Sequence, residues 1–296
     1  AHALGLPAGA PLISLGEGNT PLVWAELDGR QVALKCEFAN PSGSFKDRGS
    51  APIVAFLRAR GVSAAVEASS GNAGASFAAY AARAGLRARV FVPDSASGPK
   101  RAQIQAYGAE LVPIQGPRSH AAEAVRKAAD GGAAYASHAY LPFNLPGYAT
   151  AAYEMVAQLG KAPGTVFVPA GQGGFLLGLV RGFGALQAAG VIQVLPKLVG
   201  VQAAACAPIW ALAAYGADGL RFVGEGETLA EGIRVLRPLR GDAVLRAVEG
   251  QGGAFVAVED EALLQARDEL AKQGFYVENT SAVAAAALRQ LLSAGA

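Results

Sequence analysis

One lysine of this chain lies among residues that favour reactivity over simple solvation. Lys46 follows the small, turn-forming run Asn40-Pro41-Ser42-Gly43-Ser44 and comes directly after Phe45. An apolar wall beside a lysine disfavours the charged ammonium form and so favours the neutral amine. A neutral amine attacks an aldehyde carbon, because its lone pair is free. The segment therefore predicts Schiff-base formation on Lys46; the simpler alternative is a solvated lysine in the first turn of a helix.

Two further segments are predicted to bind anionic groups. Ser69-Ser70-Gly71-Asn72 lies between a short apolar run and an alanine-rich helix, where free backbone N–H groups and the positive end of the helix dipole attract a carboxylate or phosphate. The simpler alternative is that Ser70 or Asn72 caps the helix. The glycines of Gly171-Gln172-Gly173-Gly174 let the backbone approach phosphate oxygens closely. The lysine can condense with an aldehyde, and the two loops can bind a phosphate and a carboxylate. Together they predict pyridoxal phosphate, a phosphorylated aldehyde, as the cofactor.

Composition excludes several classes of partner. The chain has 25 basic and 23 acidic side chains, so no net field would hold nucleic acid or a membrane surface. No apolar run reaches the roughly 18 residues that a spanning helix requires, and the first residues lack the pattern of a signal peptide. We therefore expect a cytoplasmic protein whose partners are small molecules or copies of itself.

Cysteines and histidines give no sign of a metal site. Cys36 and Cys206 lack any CxxC spacing, which argues against both a zinc site and a disulfide scaffold. His2, His120 and His138 are too scattered to form a ligand cluster. We expect no metal and a reducing compartment.

Short apolar runs and alanine-rich helical stretches alternate along the chain in two series. Strands are predicted at 64–68, 88–93 and 110–114 in the first series, and at 165–169, 198–202 and 254–258 in the second. This rhythm is typical of parallel sheets covered by helices. The sequence therefore predicts an α/β protein of two three-layer domains with parallel-rich sheets. The smaller domain is expected at 50–140, inserted into a larger domain formed by 1–49 and 141–296.

Five segments together resemble the threonine synthase group of fold-type II pyridoxal phosphate enzymes, in both order and spacing. They are Ser42 to Gly49, Ser69 to Asn72, Gly171 to Gly174, Thr228 to Ile233 and Glu278 to Ala282. The resemblance covers the chain from Gly16 onward. It implies a cofactor in the cleft between the two domains, an amino acid as substrate and a homodimer.

The resemblance also implies a role for each matched residue. Lys46 would hold the cofactor as a Schiff base and move protons, with Phe45 against the cofactor ring. Asn72 would bond the 3′-oxygen of the pyridine. The cofactor phosphate would be bound by Gly171, Gln172, Gly173 and Gly174. The substrate carboxylate would be bound by Ser69, Ser70, Gly71 and Asn72. Glu231 and Gly232 would face the cofactor.

One loop departs from this resemblance. Threonine synthases carry an arginine and a lysine where this chain has Asn144 and Ala149. Each lost hydrogen bond to a phosphate dianion costs about 1.5–3 kcal/mol. A wall of His138, Tyr140 and Asn144 suits an uncharged substrate side chain, such as that of serine or threonine, unless Arg48 or another arginine compensates.

A second departure concerns the pyridine nitrogen. In the family, a strand beyond the helix that matches 281–292 supplies a serine or threonine to this nitrogen, whereas the sequence here ends at Ala296. Either that strand lies outside this sequence, or Thr280 or another hydroxyl takes this role. A neutral hydroxyl leaves the nitrogen unprotonated, which favours elimination and replacement over transamination.

These patterns predict a pyridoxal phosphate-dependent lyase, either a threonine synthase or a close relative. Lys46 would remove the α-proton of an amino acid, and a leaving group would then depart from its β- or γ-carbon. Two alternatives stay open: a serine or threonine dehydratase that catalyses β-elimination, and a degenerate cofactor-binding protein without turnover.

Overall fold

The structure is a computed structural model that describes residues 4–94, 98–116 and 118–295. Strands and helices alternate along most of these residues, as the sequence predicts. The strands are β1 (Leu22–Leu27), β2 (Arg30–Lys35), β3 (Ala64–Ala68), β4 (Arg87–Pro93), β5 (Glu110–Ile114), β6 (Ala134–Tyr135), β7 (Thr165–Pro169), β8 (Lys197–Ala203) and β9 (Ala254–Val258). The helices are α1 (Lys46–Ala59), α2 (Asn72–Arg83), α3 (Pro99–Ala106), α4 (Arg118–Asp130), α5 (Leu145–Leu159), α6 (Gly174–Ala188), α7 (Pro208–Tyr215), α8 (Gly241–Glu249), α9 (Asp260–Lys272) and α10 (Asn279–Ser293).

Internal contacts divide the chain into two compact units. Unit 1 consists of Ala1–Pro21 and Glu37–Thr150, and unit 2 consists of Leu22–Cys36 and Ala151–Ala296. This division differs from the predicted domain of 50–140, because Ala1–Pro21 and the flanking residues 37–49 and 141–150 also belong to unit 1. Hydrogen bonds from Lys100 and Gln103 to the carbonyl oxygen of Ser42 attach residues 37–49, and Phe143 of the segment 141–150 stacks on Phe56 of α1.

Unit 1 contains a parallel four-stranded sheet with the order β5-β4-β3-β6. Successive side chains of a strand point to opposite faces of the sheet. Accordingly, Ala65 and Val90 pack in a core with residues of α1 and α2, whereas Val66 and Phe91 pack with Val125 of α4. Helices thus cover both faces, which gives the three layers that the sequence predicts.

Unit 2 contains a parallel three-stranded sheet with the order β7-β8-β9, and a separate antiparallel pair β1-β2. On one face of the parallel sheet, Leu198 packs with Leu179 of α6. On the other face, Val201 packs with Val283 of α10. Helices therefore cover both faces of this sheet too, so unit 2 has the three layers that the sequence predicts.

Both sheets place a turn of chemical interest at the carboxyl end of a strand. β3 leads into Ser69-Ser70-Gly71 and α2, and β7 leads into the glycine segment and α6. Open parallel sheets bind ligands at this edge. Among the described helices, none is long and apolar enough to span a membrane.

Candidate active site

Lys46 is the first residue of α1 and is half-buried. The preceding turn is closed by a hydrogen bond from the amide of Gly43 to the carbonyl of Asn40 (2.8 Å), and Gly43 has a φ of 91°. The Nζ atom of Lys46 lies 4.5 Å from the centre of the Phe45 ring. Phe45 therefore does contact the amine, as predicted. In this position the ring also attracts an ammonium ion through its quadrupole, so it does not act only as an apolar wall.

The residue after Lys46 fixes the turn. The amide and hydroxyl of Ser42 both donate to the carboxylate of Asp47, the amide over 2.6 Å. Burial raises the pKa of Asp47, and the hydrogen bonds from Ser42 oppose this rise. Lys100 and Gln103 donate to the carbonyl oxygen of Ser42. The backbone that carries Lys46 is thus held on both sides of the turn.

Arg48 is engaged in a buried ion pair. Its Nε and Nη2 atoms donate to the two carboxylate oxygens of Glu37 over 2.7 and 2.8 Å, and Nη1 donates to Thr150 over 2.8 Å. The guanidinium group is 1% exposed. Paired, planar contacts of this kind hold an arginine firmly in place. The expectation that Arg48 replaces the missing basic residues of the substrate loop is therefore not supported.

The turn between β3 and α2 leaves the start of α2 without a side-chain cap. Gly71 is the N-cap residue and makes no capping hydrogen bond, so the simpler prediction that Ser70 or Asn72 caps this helix is wrong. The amide of Gly71 donates to the hydroxyl of Ser69 over 3.2 Å. A Cβ at Gly74 would lie 2.0 Å from the carbonyl oxygen of Ser69, so the turn requires glycine there. Uncapped amides at a helix start suit an anion.

A small cavity in unit 1 joins Lys46 to the start of α2. Its volume of about 10 Å³ gives room for roughly one water molecule. Its lining combines apolar side chains with amine, hydroxyl, carboxylate and imidazole groups. The lining consists of Lys46, Ser50, Ile53, Glu67, Ala73, Phe77, Ala136, His138 and Tyr148. The structure therefore brings the predicted reactive lysine to a cavity shared with Ala73 of α2, the residue that directly follows the turn predicted to bind a carboxylate.

The loop expected to face the substrate is held by Asn144. Its Nδ2 atom donates to the carbonyl of His138 over 2.6 Å, and it also bonds to the hydroxyl of Tyr148. Burial raises the pKa of Tyr148, and the hydrogen bond with Asn144 opposes that shift. Asn144 is 0% exposed and Ala149 is 1% exposed. Asn144 thus fixes the loop, and both positions are buried.

The glycine segment of unit 2 fits a phosphate group. Gly173 has a φ of 73°, and a Cβ there would lie 2.4 Å from Val244. Within the described residues, the amides of Gly171, Gln172, Gly173 and Gly174 donate no hydrogen bond to the protein. The Gln172 side chain points elsewhere, since its Oε1 accepts from the amide of Leu239. These backbone amides lie at the start of α6 and are the hydrogen-bond donors that phosphate oxygens require.

Two other predicted segments lie next to this glycine segment. A Cβ at Gly171 would lie 3.3 Å from the carbonyl oxygen of Gly232. The amide of Gly232 donates to the Oγ1 atom of Thr280 over 3.2 Å. Glu231, in contrast, is exposed. Unit 2 thus brings together the glycine segment, the segment 228–233 and the hydroxyl of Thr280.

Sequence reasoning missed Glu67. The strand 64–68 was interpreted as an apolar run, yet Glu67 is 1% exposed and lines the cavity beside Lys46. A single carboxylate within an otherwise apolar, buried strand was the available signal. In the described parts of the chain, no group of three or more histidine, cysteine, aspartate or glutamate residues could hold a metal ion.

Comparisons with family models and known proteins give consistent matches. The model described as "Pyridoxal-phosphate dependent enzyme" matches residues 13–296. Threonine synthase of Methanocaldococcus jannaschii is 36% identical over 293 residues, which cover 96% of this chain and 72% of that protein. Threonine synthase of Mycobacterium leprae is 37% identical over 291 residues, which cover 96% of this chain and 78% of that protein.

Solved structures show the same fold. A threonine deaminase from T.th. matches with a TM-score of 0.77 at 28% identity, over 92% of this chain and 87% of that chain. Maize serine racemase matches with a TM-score of 0.77 at 20% identity, over 90% of this chain and 80% of that chain. At that lower identity the match concerns the fold alone.

Proposed function

The chain belongs to the family of pyridoxal-phosphate dependent enzymes, and we propose that it is a lyase of the threonine synthase-like kind that acts on an amino acid through Lys46. The observation that carries this proposal is the position of Lys46, which begins α1 beside Phe45 and lines a cavity with the start of α2. Threonine synthases at 36% and 37% identity over 96% of the chain support it further.

Lys46 is proposed to do the acid–base work. Bound pyridoxal phosphate supplies an aldehyde for amines and a ring that stabilises negative charge at the α-carbon of the substrate. Lys46 would hold the cofactor through its Nζ atom and, once released by the substrate amine, take the α-proton. Amides of the turn formed by Ser69, Ser70 and Gly71 would bind the substrate carboxylate, with Asn72 at the 3′-oxygen of the cofactor.

Unit 2 is proposed to bind the rest of the cofactor. The free amides of Gly171, Gly173 and Gly174 suit its phosphate. The hydroxyl of Thr280 accepts a hydrogen bond from Gly232 and can still donate its own proton, which suits an unprotonated pyridine nitrogen. A neutral partner of this kind favours elimination and replacement, the reaction class proposed here.

Replacing Gly173 with alanine is expected to weaken cofactor binding by about ten-fold or more. The new Cβ would clash with Val244 at a backbone φ that favours glycine, so the loop has to move, at a cost of about 1–3 kcal/mol. The cofactor dissociation constant measures this effect. Gly190→Ala is the matched control, because Gly190 has a φ of 71° and nothing within 4 Å. Equal affinities in the two variants would remove the glycine segment from the cofactor site.

We propose that the substrate carries an uncharged side chain. The loop from 138 to 150 contains no lysine or arginine, Arg48 is paired with Glu37, and the carboxylate of Glu67 lines the cavity. These features provide no counter-charge for a substrate phosphate in unit 1. They favour β-elimination from serine or threonine, with ammonia and a keto acid as the products.

Threonine synthase activity itself is the second candidate. Arg234, Arg237 and Arg240 follow, in the sequence, the segment that packs against Gly171. They keep a phosphorylated substrate open as an alternative. The names of the two curated relatives favour the same activity.

Two product assays separate these candidates. We expect kcat/KM for ammonia release from serine or threonine to exceed kcat/KM for phosphate release from phosphohomoserine by at least about 100-fold. Two absent charge-assisted contacts, at about 1.5–3 kcal/mol each, set this ratio. Efficient release of phosphate would overturn the substrate proposal in favour of threonine synthase activity. Cofactor binding without turnover of either substrate would favour a degenerate binding protein.

We also propose that the chain acts as a homodimer in the cytoplasm. The resemblance to the family supports the dimer. Cys36 and Cys206 are buried, free thiols, which suits a reducing compartment.

A further inference from the structure

One buried carboxylate of unit 1 has no part in the proposed reaction. Glu67 lies in β3, a central strand, and is 1% exposed. Because side chains alternate along a strand, Glu67 shares the face of Ala65, toward α1 and α2. Its Oε1 atom accepts a hydrogen bond from the amide of Ala68 over 2.9 Å. A charged carboxylate is unfavourable in a buried site unless a positive group pairs with it. The burial of Glu67 therefore implies counter-charges beside it.

Two groups that can carry a positive charge share the cavity with Glu67. The Nδ1 atom of His138 lies 3.7 Å from Glu67 Oε1, which is within ion-pair range once the imidazole is protonated. Lys46 lines the same cavity. The side chain of His138 is 21% exposed, whereas that of Glu67 is 2% exposed. The carboxylate therefore lines one small cavity together with a reactive amine and lies beside an imidazole that reaches solvent.

We propose that Glu67 and His138 are positioning residues that set the charge of the Lys46 amine, a proposal that rests on the proposed function of Lys46. When Lys46 takes the α-proton, the electron pair of the C–H bond stays on carbon and the amine becomes an ammonium ion. Glu67 stabilises this ion in a half-buried site. While Lys46 is neutral, a protonated His138 balances the carboxylate instead.

Opposing effects act on the amine, and Glu67 decides between them. Burial disfavours the ammonium ion, while the Phe45 ring at 4.5 Å attracts it weakly. Among the described residues that line the cavity, Glu67 is the one carboxylate. Among the described residues, the titratable groups that line the cavity or interact with its lining include Lys46 and Asp47 of α1, Glu67 of β3, Tyr135 of β6, His138 of the next loop and Tyr148 of α5.

The variant Glu67→Gln removes the charge and keeps the shape. Competitive acetylation of the full chain, freed of cofactor, over a pH series and read by mass spectrometry gives the ionisation midpoint of Lys46. We expect this midpoint to fall by about one pH unit, since a nearby carboxylate favours the ammonium form by that amount or more. Lys127, which is 75% exposed, is the internal standard.

A matched control removes the same charge elsewhere in unit 1. Glu110 lies in β5 and pairs with Arg89 at the surface, so Glu110→Gln is expected to leave the Lys46 midpoint unchanged. An unchanged Lys46 midpoint in Glu67→Gln would overturn the proposal. An equal shift in both variants would also overturn it, because the effect would then be one of net charge.

The wild-type chain provides a second test if Glu67→Gln does not fold. In an NMR titration, the imidazole of His138 is expected to titrate above the ordinary histidine value of about 6.5. A His138 midpoint at or below about 6.5 would overturn the pairing with Glu67. Neither titration uses substrate, so a failure to find turnover would contradict the proposed function and leave these results unaffected.

Discussion

Replacing Lys46 with alanine is expected to lower turnover by at least about 10³-fold with any amino acid that the protein accepts. The amine is proposed both to hold the cofactor and to move the α-proton, and acid–base catalysis alone contributes about 10²–10⁴-fold. The measurement is kcat under saturating pyridoxal phosphate, with circular dichroism to check folding.

The matched control for this variant is Lys127→Ala. Lys127 pairs with Glu123 on the exposed surface of α4, so its loss is expected to leave turnover unchanged. Retention of more than about a tenth of wild-type turnover in Lys46→Ala would mean that another group carries the chemistry.

Replacing Gly147 with alanine is expected to destabilise unit 1 by about 3 kcal/mol or more. A Cβ at this position would lie 1.7 Å from the carbonyl oxygen of Arg48, so the start of α5 cannot remain against the start of α1. Alanine raises helix propensity by only about 1 kcal/mol, and the clash therefore dominates. Urea unfolding, with comparison of midpoints at equal slope, measures the loss.

Gly184 is the control for this substitution. It lies inside α6 with nothing within 4 Å of a new Cβ, so Gly184→Ala is expected to be neutral or to stabilise by about 0.5–1 kcal/mol. A Gly147→Ala variant as stable as the wild type would show that the close approach of α5 to Arg48 is not part of the native packing.

The elements of the fold could be predicted from local pattern. Strands predicted at 110–114, 165–169 and 254–258 have these bounds in β5, β7 and β9, and the helix predicted from Asn72 begins there. Short apolar runs bounded by glycine, proline or charged residues are sufficient to locate these elements, because hydrophobic periodicity and turn-forming residues are local properties of the sequence. The predicted family and cofactor are confirmed by the match over residues 13–296.

Side-chain partners across the fold could not be predicted in the same way. Arg48 was assigned as a possible substrate contact, but its guanidinium pairs with Glu37. Asn144 stays a predicted substrate contact, and nothing in the sequence indicated that its amide also bonds to the carbonyl of His138. Glu67 was overlooked, because its environment is formed by residues far away in the sequence. Composition and spacing carry no information about which distant side chains meet.

The boundaries of unit 1 could not be predicted from the local sequence pattern either. The sequence pattern changes near residues 50 and 140, where the first series of strands and helices begins and ends. Unit 1 consists of Ala1–Pro21 and Glu37–Thr150, since hydrogen bonds from Lys100 and Gln103 to Ser42 and the stacking of Phe143 on Phe56 attach the two flanking segments. Such contacts depend on three-dimensional packing.

The covalent attachment of the cofactor to Lys46 is the claim on which the account depends. Borohydride reduction of the protein saturated with pyridoxal phosphate, followed by proteolysis and mass spectrometry, tests it directly. We predict one pyridoxyl group per chain, located on the peptide that contains Lys46. A label on another lysine, such as Lys100, or a protein that carries no label at all, would contradict the account.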